Sequence, residues 1–277
     1  MPERTDLAIE FENSKNLTEE SYENSGISVS KINIKTKLGE EKFKREKGIY
    51  ITLQFPEIEK IISTENLEKE IIKCLSSLIP KECENILIAG LGNTEITCDS
   101  IGPAVASKIL ATRHISGEFA ENLGLYGLKS VSVIAPGVLG KTGIESAELI
   151  KAVADKIKPQ AVIIIDALAA GSISRLFKTI QLTNSGIAPG SGVKNSRKEI
   201  SEKILKIPVI AIGVPTVVDA GILAEELSGK KTECGFQMIL TPKDSDILCQ
   251  KLSEIIARAL NIFLQPRIDS ETIMSLV

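Results

Sequence analysis

The order of apolar and polar positions changes character along the chain. In Ile27-Ser28-Val29-Ser30-Lys31-Ile32-Asn33-Ile34 the two kinds alternate, the period of a strand with one face buried. Gly48-Ile49-Tyr50-Ile51-Thr52-Leu53-Gln54-Phe55 reads as a second strand, and a charged turn from Lys37 to Lys47 separates them. This part predicts an antiparallel edge attached to a larger core. Residues 57–79 then switch to a helix, with Leu67, Ile71, Leu75 and Leu78 on one face and Pro80 as its stop.

From Asn85 the pattern becomes strand and helix in turn. Ile86–Ala89 reads as a buried strand, Gly102–Ile115 as a helix, and Val131–Ile134 as a strand closed by Pro136-Gly137. Ile144–Ile157 reads as a helix stopped by Lys158-Pro159, and Ala161–Ile165 is the most apolar strand. Phe177–Leu182 predicts a strand beyond the main parallel set, Arg197–Leu205 a helix, Pro208–Gly213 a strand and Thr216–Leu227 a helix. Thr241-Pro242-Lys243-Asp244 has the chemistry of a helix start, with Thr241 as cap, for a last helix running to about Leu264. Continuous Val/Ile strands between amphipathic helices predict an α/β fold, a mostly parallel sheet with helices on both faces. We read residues 1–277 as one α/β domain, with 1–56 an N-terminal β extension and 57–277 a three-layer core.

Composition removes several kinds of chemistry. The chain has one histidine, His114, so a two-histidine zinc motif is out of reach and any imidazole catalysis would depend on that residue alone. There is no tryptophan, and 33 basic residues face 36 acidic ones, so neither base stacking nor a basic footprint points to nucleic acid. The five cysteines, Cys74, Cys83, Cys98, Cys234 and Cys249, form no C-x-x-C pair and suit a reducing compartment. No apolar run approaches the roughly 18 residues of a membrane span, and Met1–Asp6 has no signal-peptide core. The expectation is a soluble intracellular protein.

In open α/β sheets ligands bind beyond the carboxyl ends of the strands, so the residues there carry the candidate chemistry. Gly90-Leu91-Gly92 begins like a dinucleotide loop, but Glu95 stands where the third glycine belongs. Gly140-Lys141-Thr142 ends like a phosphate loop without its spacing. The acids say more. Asp166 follows Ile163-Ile164-Ile165, and Asp99 precedes the Gly102-Pro103 helix start, which puts both at one end of the sheet. Two facing carboxylates split their titrations, one ionised to activate water and one protonated to serve a leaving amine. Each also has a plainer reading: a helix cap for Asp99, and a strand-end residue bonded to loop amides for Asp166. Asn93, Asp219 and Glu145 are supporting candidates, the last two also readable as first-turn or capping acids. Amides near Gly92-Asn93 or Ala167 are candidate oxyanion donors. His114, on the helix after Asp99, reads as structural or partner-contacting, and Cys98 as a small packed residue rather than a reactive thiol.

Several stretches together resemble a known family. They are Arg4-Thr5-Asp6-Leu7-Ala8, Gly90-Leu91-Gly92-Asn93 with Thr97-x-Asp99-x-x-Gly102-Pro103, Thr112-Arg113-His114, and Pro136-Gly137-Val138-x-Gly140-x-Thr142-Gly143-Ile144-Glu145. Ile165-Asp166-Ala167-Leu168-Ala169-Ala170, Pro189-Gly190-Ser191-Gly192-Val193 and Pro208 to Ala220 complete the set. The chain resembles the germination proteases of spore-forming bacteria. The resemblance implies an atypical aspartic endopeptidase with a core like that of hydrogenase-maturation proteases, and its catalytic aspartates match Asp99 and Asp166. It implies no cofactor or metal, a homotetramer in the cytoplasm of the spore core, and small acid-soluble spore proteins as substrates. Those substrates coat DNA, so contact with nucleic acid would be indirect, and no membrane is involved. Longer members are zymogens with a pro-segment ahead of the motif that here starts at Arg4, and they carry an insertion after the Val217-Val218-Asp219-Ala220 motif. Two alternatives on the same fold are a metal-dependent maturation-type protease using His114, and a non-catalytic spore-protein binder.

Overall fold

The computed structural model describes residues 5–10, 18–43, 45–58, 63–80, 82–115, 127–188, 198–230 and 238–276. Arg4, the Pro189–Val193 motif, Arg197, Cys234 and part of the expected 57–79 helix lie outside the described residues.

The N-terminal part is a β meander. Strand β1 (Thr18–Asn24) turns at Ser25-Gly26, both with positive φ, into β2 (Ile27–Ile34). Helix α1 (Lys37–Phe43) occupies the stretch expected as a turn, and β3 (Gly48–Gln54) returns antiparallel to β2. After α2 (Glu65–Leu78) comes β4 (Asn85–Gly90), then a 3-10 turn at Thr97–Asp99 and α3 (Ile101–Ala106). Next are β5 (Ser130–Ile134), α4 (Leu139–Thr142), α5 (Ser146–Ile157), β6 (Ala161–Ala170) and β7 (Thr179–Thr183). The chain continues through α6 (Glu202–Leu205), β8 (Val209–Asp219), α7 (Ala220–Ser228), β9 (Ile239–Leu240), α8 (Ser245–Leu264) and α9 (Ser270–Ser275).

All these strands join one sheet in the order β1-β2-β3-β7-β8-β6-β4-β5, with β9 on β8. The centre, β5-β4-β6-β8, is parallel, and β7 joins it antiparallel, carrying the meander through β3. Alternate residues of the central strands feed two cores. Ile86, Ile88, Ile163 and Ile165 pack under α2, α3 and α8, in a cluster that continues into Val29, Ile51 and Leu53 of the meander. Leu87, Ala89, Val162 and Ile164 pack under Ala147, Ile150 and Ala154 of α5. Each fully buried aliphatic side chain contributes about 1.5–3 kcal/mol. The α/β layering is as expected. No helix among the described residues is long and apolar enough to cross a membrane.

Several boundaries differ from the expectation, each for a specific structural reason. The helix expected to reach Ile115 stops at Ala106, because Asn261 of α8 accepts the Leu110 N–H (2.9 Å) and donates to the Lys108 carbonyl (2.9 Å), satisfying the loop in place of helical bonds. His114 is therefore on an exposed turn rather than on that helix. Thr216-Val217-Val218, expected as helix, extends β8, since the β-branched Val217 and Val218 pair with β6 on one side and Val218 with β9 on the other. Asp219 then caps α7 by accepting the Gly221 N–H (2.8 Å). Strand β7 starts at Thr179, because Phe177 has φ +53°, outside the strand region. Thr241 is not the cap of the last helix: that helix starts at Ser245, and the Thr241 hydroxyl donates to the Thr216 carbonyl (2.8 Å).

Candidate active site

The strand expected to end at Ile165 runs on to Ala170, and this decides where Asp166 sits. Its parallel neighbour β4 ends level with Ile165, the next Leu91 N–H donating to the Ile165 carbonyl (2.8 Å). Asp166 still pairs with Gly213 of β8 on the other side. It thus stands at the first position where β6 has lost one neighbour, and it lines a cleft there. The residue is 5% exposed, and its Oδ1 accepts the Ala167 N–H (2.9 Å).

Asp99 arrives from the loop after β4, on a turn fixed by contacts from four directions. The Asn93 N–H donates to the Asp99 carbonyl (2.9 Å), and the Thr216 hydroxyl of β8 donates to the Cys98 carbonyl (2.6 Å). The Cys249 thiol of α8 donates to the Thr97 carbonyl (3.2 Å), as does the Ser100 hydroxyl (2.8 Å). The glycines make this approach sterically feasible. A Cβ on Gly102 would lie 2.2 Å from the Leu91 carbonyl oxygen and 2.5 Å from that of Ile165, so α3 packs backbone-to-backbone on the strand ends. The Gly90-Leu91-Gly92 pattern serves this packing, in keeping with its failure as a dinucleotide loop.

Asp99 and Asp166 line one cleft of about 210 Å³, together with Ser146, Thr216, Leu91 and Val217. Ser146 is held there by donating to the Gly137 carbonyl (3.0 Å). A third carboxylate, Asp6, is in the same wall, and the described lining contains no Lys, Arg or His. Asp6 was not singled out in the sequence. Its sign there is its place in the Arg4-Thr5-Asp6-Leu7-Ala8 stretch of the family resemblance, whose Thr5, Leu7 and Ala8 prove to be buried. Cys98 lines the cleft too, and its thiol titrates above the usual range, because burial and the adjacent Asp99 disfavour the thiolate.

The supporting candidates fall outside the described lining of this cleft. Asn93 acts through its backbone on Asp99, while its side chain accepts the Glu95 N–H (3.1 Å). Asp219 is the α7 cap, and Glu145 is at the α5 cap position without a side-chain cap bond. Of the candidate oxyanion amides, that of Asn93 donates to the Asp99 carbonyl and that of Ala167 to Asp166 Oδ1. Among the described residues no three His, Cys, Asp or Glu side chains are grouped to hold a metal ion.

A parallel-centred α/β sheet with three carboxylates lining one cleft defines the class as an α/β protein with an acidic cleft. Comparison with known proteins narrows the class. A sequence profile described as germination protease matches residues 3–228. The chain is 38% identical to the germination protease of Clostridium tetani, covering 99% of both chains. It is 37% identical to that of Caldanaerobacter subterraneus, over 95% of this chain and 94% of the relative. Against that of Bacillus licheniformis it is 44% identical, over 79% of this chain and 62% of the relative. Among solved structures, a hydrogenase maturation protease, HycI from Thermococcus kodakarensis, is similar over 69% of this chain and 98% of its own, with a TM-score of 0.39 and 16% identity. The chain belongs to the germination protease family, and with membership goes a protease role in spore germination.

Proposed function

We propose that this protein is an aspartic-type endopeptidase that begins the breakdown of small acid-soluble spore proteins, with Asp99 and Asp166 as its catalytic pair. The observation that carries the reading is that these two side chains, one from within β6 and one from the turn after β4, line one cleft. In an acid–base pair of neighbouring carboxylates, one keeps a proton while the other ionises. The ionised member takes a proton from a water as that water adds to the scissile carbonyl. The protonated member gives its proton to the amine as the C–N bond breaks. The metal-dependent alternative needs His114 at the site, and His114 is exposed on a turn outside the described lining. The family resemblance extends the proposal to a homotetramer in the spore core, which sedimentation of the purified protein tests.

The test is incubation with a purified small acid-soluble spore protein, with fragments identified by mass spectrometry, with and without a strong chelator. Internal cuts at unchanged rate under chelation are expected. Intact substrate would remove the proposal, and loss of cutting only under chelation would favour the metal-dependent reading.

A further inference from the structure

The role of Asp6 follows from which way the backbone of β6 points. Along a strand, the N–H and C=O of alternate residues face the same neighbour. Ile165 presents its carbonyl to the β4 side, where Leu91 takes it. Ala167 and Ala169 therefore present their backbone groups to that same side, but β4 has already ended. Opposite, the ladder to β8 is irregular at the same place: the register shifts between Leu168 and Ala169, where Thr216 is left out of the pairing. The strand that carries Asp166 thus loses its β4 neighbour while its pairing with β8 shifts register, and Ala169 is 3% exposed, so its backbone groups on the open side need partners.

The N-terminal segment supplies them. The Asp6 N–H donates to the Ala169 carbonyl (2.9 Å), and Asp6 Oδ2 accepts the Ala169 N–H (2.9 Å). Asp6 is held in turn by Gln181 of β7, which donates to the Asp6 carbonyl (3.2 Å) and accepts the Ala8 N–H (2.7 Å). Leu7 is fully buried beside it. Two residues beyond Ala169, the Gly171 N–H donates to Glu10 (2.7 Å), so the same short segment grips the end of β6 twice.

We propose that Asp6 is a positioning residue for Asp166. Its carboxylate completes the backbone bonding at Ala169 and so fixes the course of β6 between the Leu91 contact and the N-terminal segment. Asp166 is anchored on the Ala167 N–H midway between those two points, so its orientation follows the strand. The inference rests on the proteolytic reading, because it assigns Asp6 a part in preparing that pair. What Asp6 supplies is an acceptor, which asparagine also supplies, whereas alanine supplies none.

The experiment compares Asp6→Asn, Asp6→Ala and the native chain by kcat and KM on a spore-protein substrate, and by amide exchange at Ala169. Asp6→Asn is expected to keep kcat within about threefold. Asp6→Ala is expected to lose about 10²-fold in kcat with KM little changed, the cost of a misplaced catalytic group. Exchange at Ala169 should quicken in Asp6→Ala only. A folded Asp6→Asn as slow as Asp6→Ala overturns the proposal, because the charge rather than the acceptor is then required. Native kcat in Asp6→Ala, or native exchange at Ala169, overturns it as well. Should Asp6→Ala not fold, Asp6→Ser, one bond shorter in reach, takes its place. If the native chain cuts no spore protein, the proteolytic reading falls, and the exchange measurement still decides whether Asp6 grips β6.

Discussion

Gly92 and Asp99 are in backbone contact: a Cβ on residue 92 would sit 2.0 Å from the Asp99 carbonyl oxygen and 3.2 Å from its Oδ1. Gly92 also has φ +121°, a conformation that side chains with a Cβ rarely adopt. Gly92→Ala must therefore push the Asp99 turn away from the cleft. We expect a loss of about 10²-fold in kcat with a destabilisation of about 1–3 kcal/mol. Cleavage rate and thermal melting, measured together, check this, and native activity in a folded Gly92→Ala would show that Asp99 tolerates displacement.

Thr216 ties β8 to the same turn through the Cys98 carbonyl, and the side chain is fully buried. Thr216→Val keeps the shape and removes the donor, leaving a carbonyl short of a partner, at a cost of about 1–3 kcal/mol. The expected result is a lower melting temperature and a lower kcat. A stability loss with untouched kcat would mean that the turn has other sufficient supports.

Cys98 lines the cleft, but burial and the neighbouring Asp99 hold its thiol above the usual range, so little thiolate exists near neutral pH. Cys98→Ala should cleave substrate within about threefold of the native rate. Alkylation of Cys98 in the native chain, followed by mass spectrometry, should be slow near neutral pH and quicken as the medium becomes alkaline. Abolished activity in Cys98→Ala would reopen a thiol mechanism.

The elements that the sequence made legible are those whose signal is local. The Ile163-Ile164-Ile165 run announces a buried strand, and Asp166 directly after it announces a strand-end acid. The continuation of β6 through Ala167–Ala170 is not legible, because small apolar residues fit helix, strand or loop, and pairing with β8 settles the matter. Pro215 reads as a strand stop, yet β8 runs on past it: its carbonyl takes the Phe177 N–H, and the register against β6 shifts just after it. Asp6 was missed because its partner Ala169 is 163 positions away, and no periodicity joins residues at that distance. The short α3 was overextended because the side chain that ends it, Asn261, belongs to the last long helix.

Glu10 gives the N-terminal segment a measurable pH signature. Its carboxyl titrates above the ordinary range, because burial disfavours the charge and Asp6 adds to that, against weaker help from Thr5, Gly171 and Arg175. The folded chain therefore holds this proton more tightly than the unfolded chain. The stability it contributes is complete below the unfolded carboxyl value of 4.5 and is lost as pH rises through the higher folded value. Glu10→Gln has no such titration. The melting-temperature advantage of the native chain over Glu10→Gln should be widest near about pH 4 and shrink toward neutrality. An advantage that grows toward neutral pH would mean that the Arg175 pair outweighs burial.

The central claim is that Asp99 and Asp166 act as one catalytic unit, and a double-mutant cycle of single-turnover cleavage tests it most directly. Asp99→Asn, Asp166→Asn and the double variant are compared with the native chain on one spore-protein substrate, with folding checked by circular dichroism. Groups that act together are non-additive, so each single variant should lose about as much rate as the double, on the order of 10³-fold or more. Native rates in either folded single variant, or losses that simply multiply in the double variant, would contradict the paired mechanism.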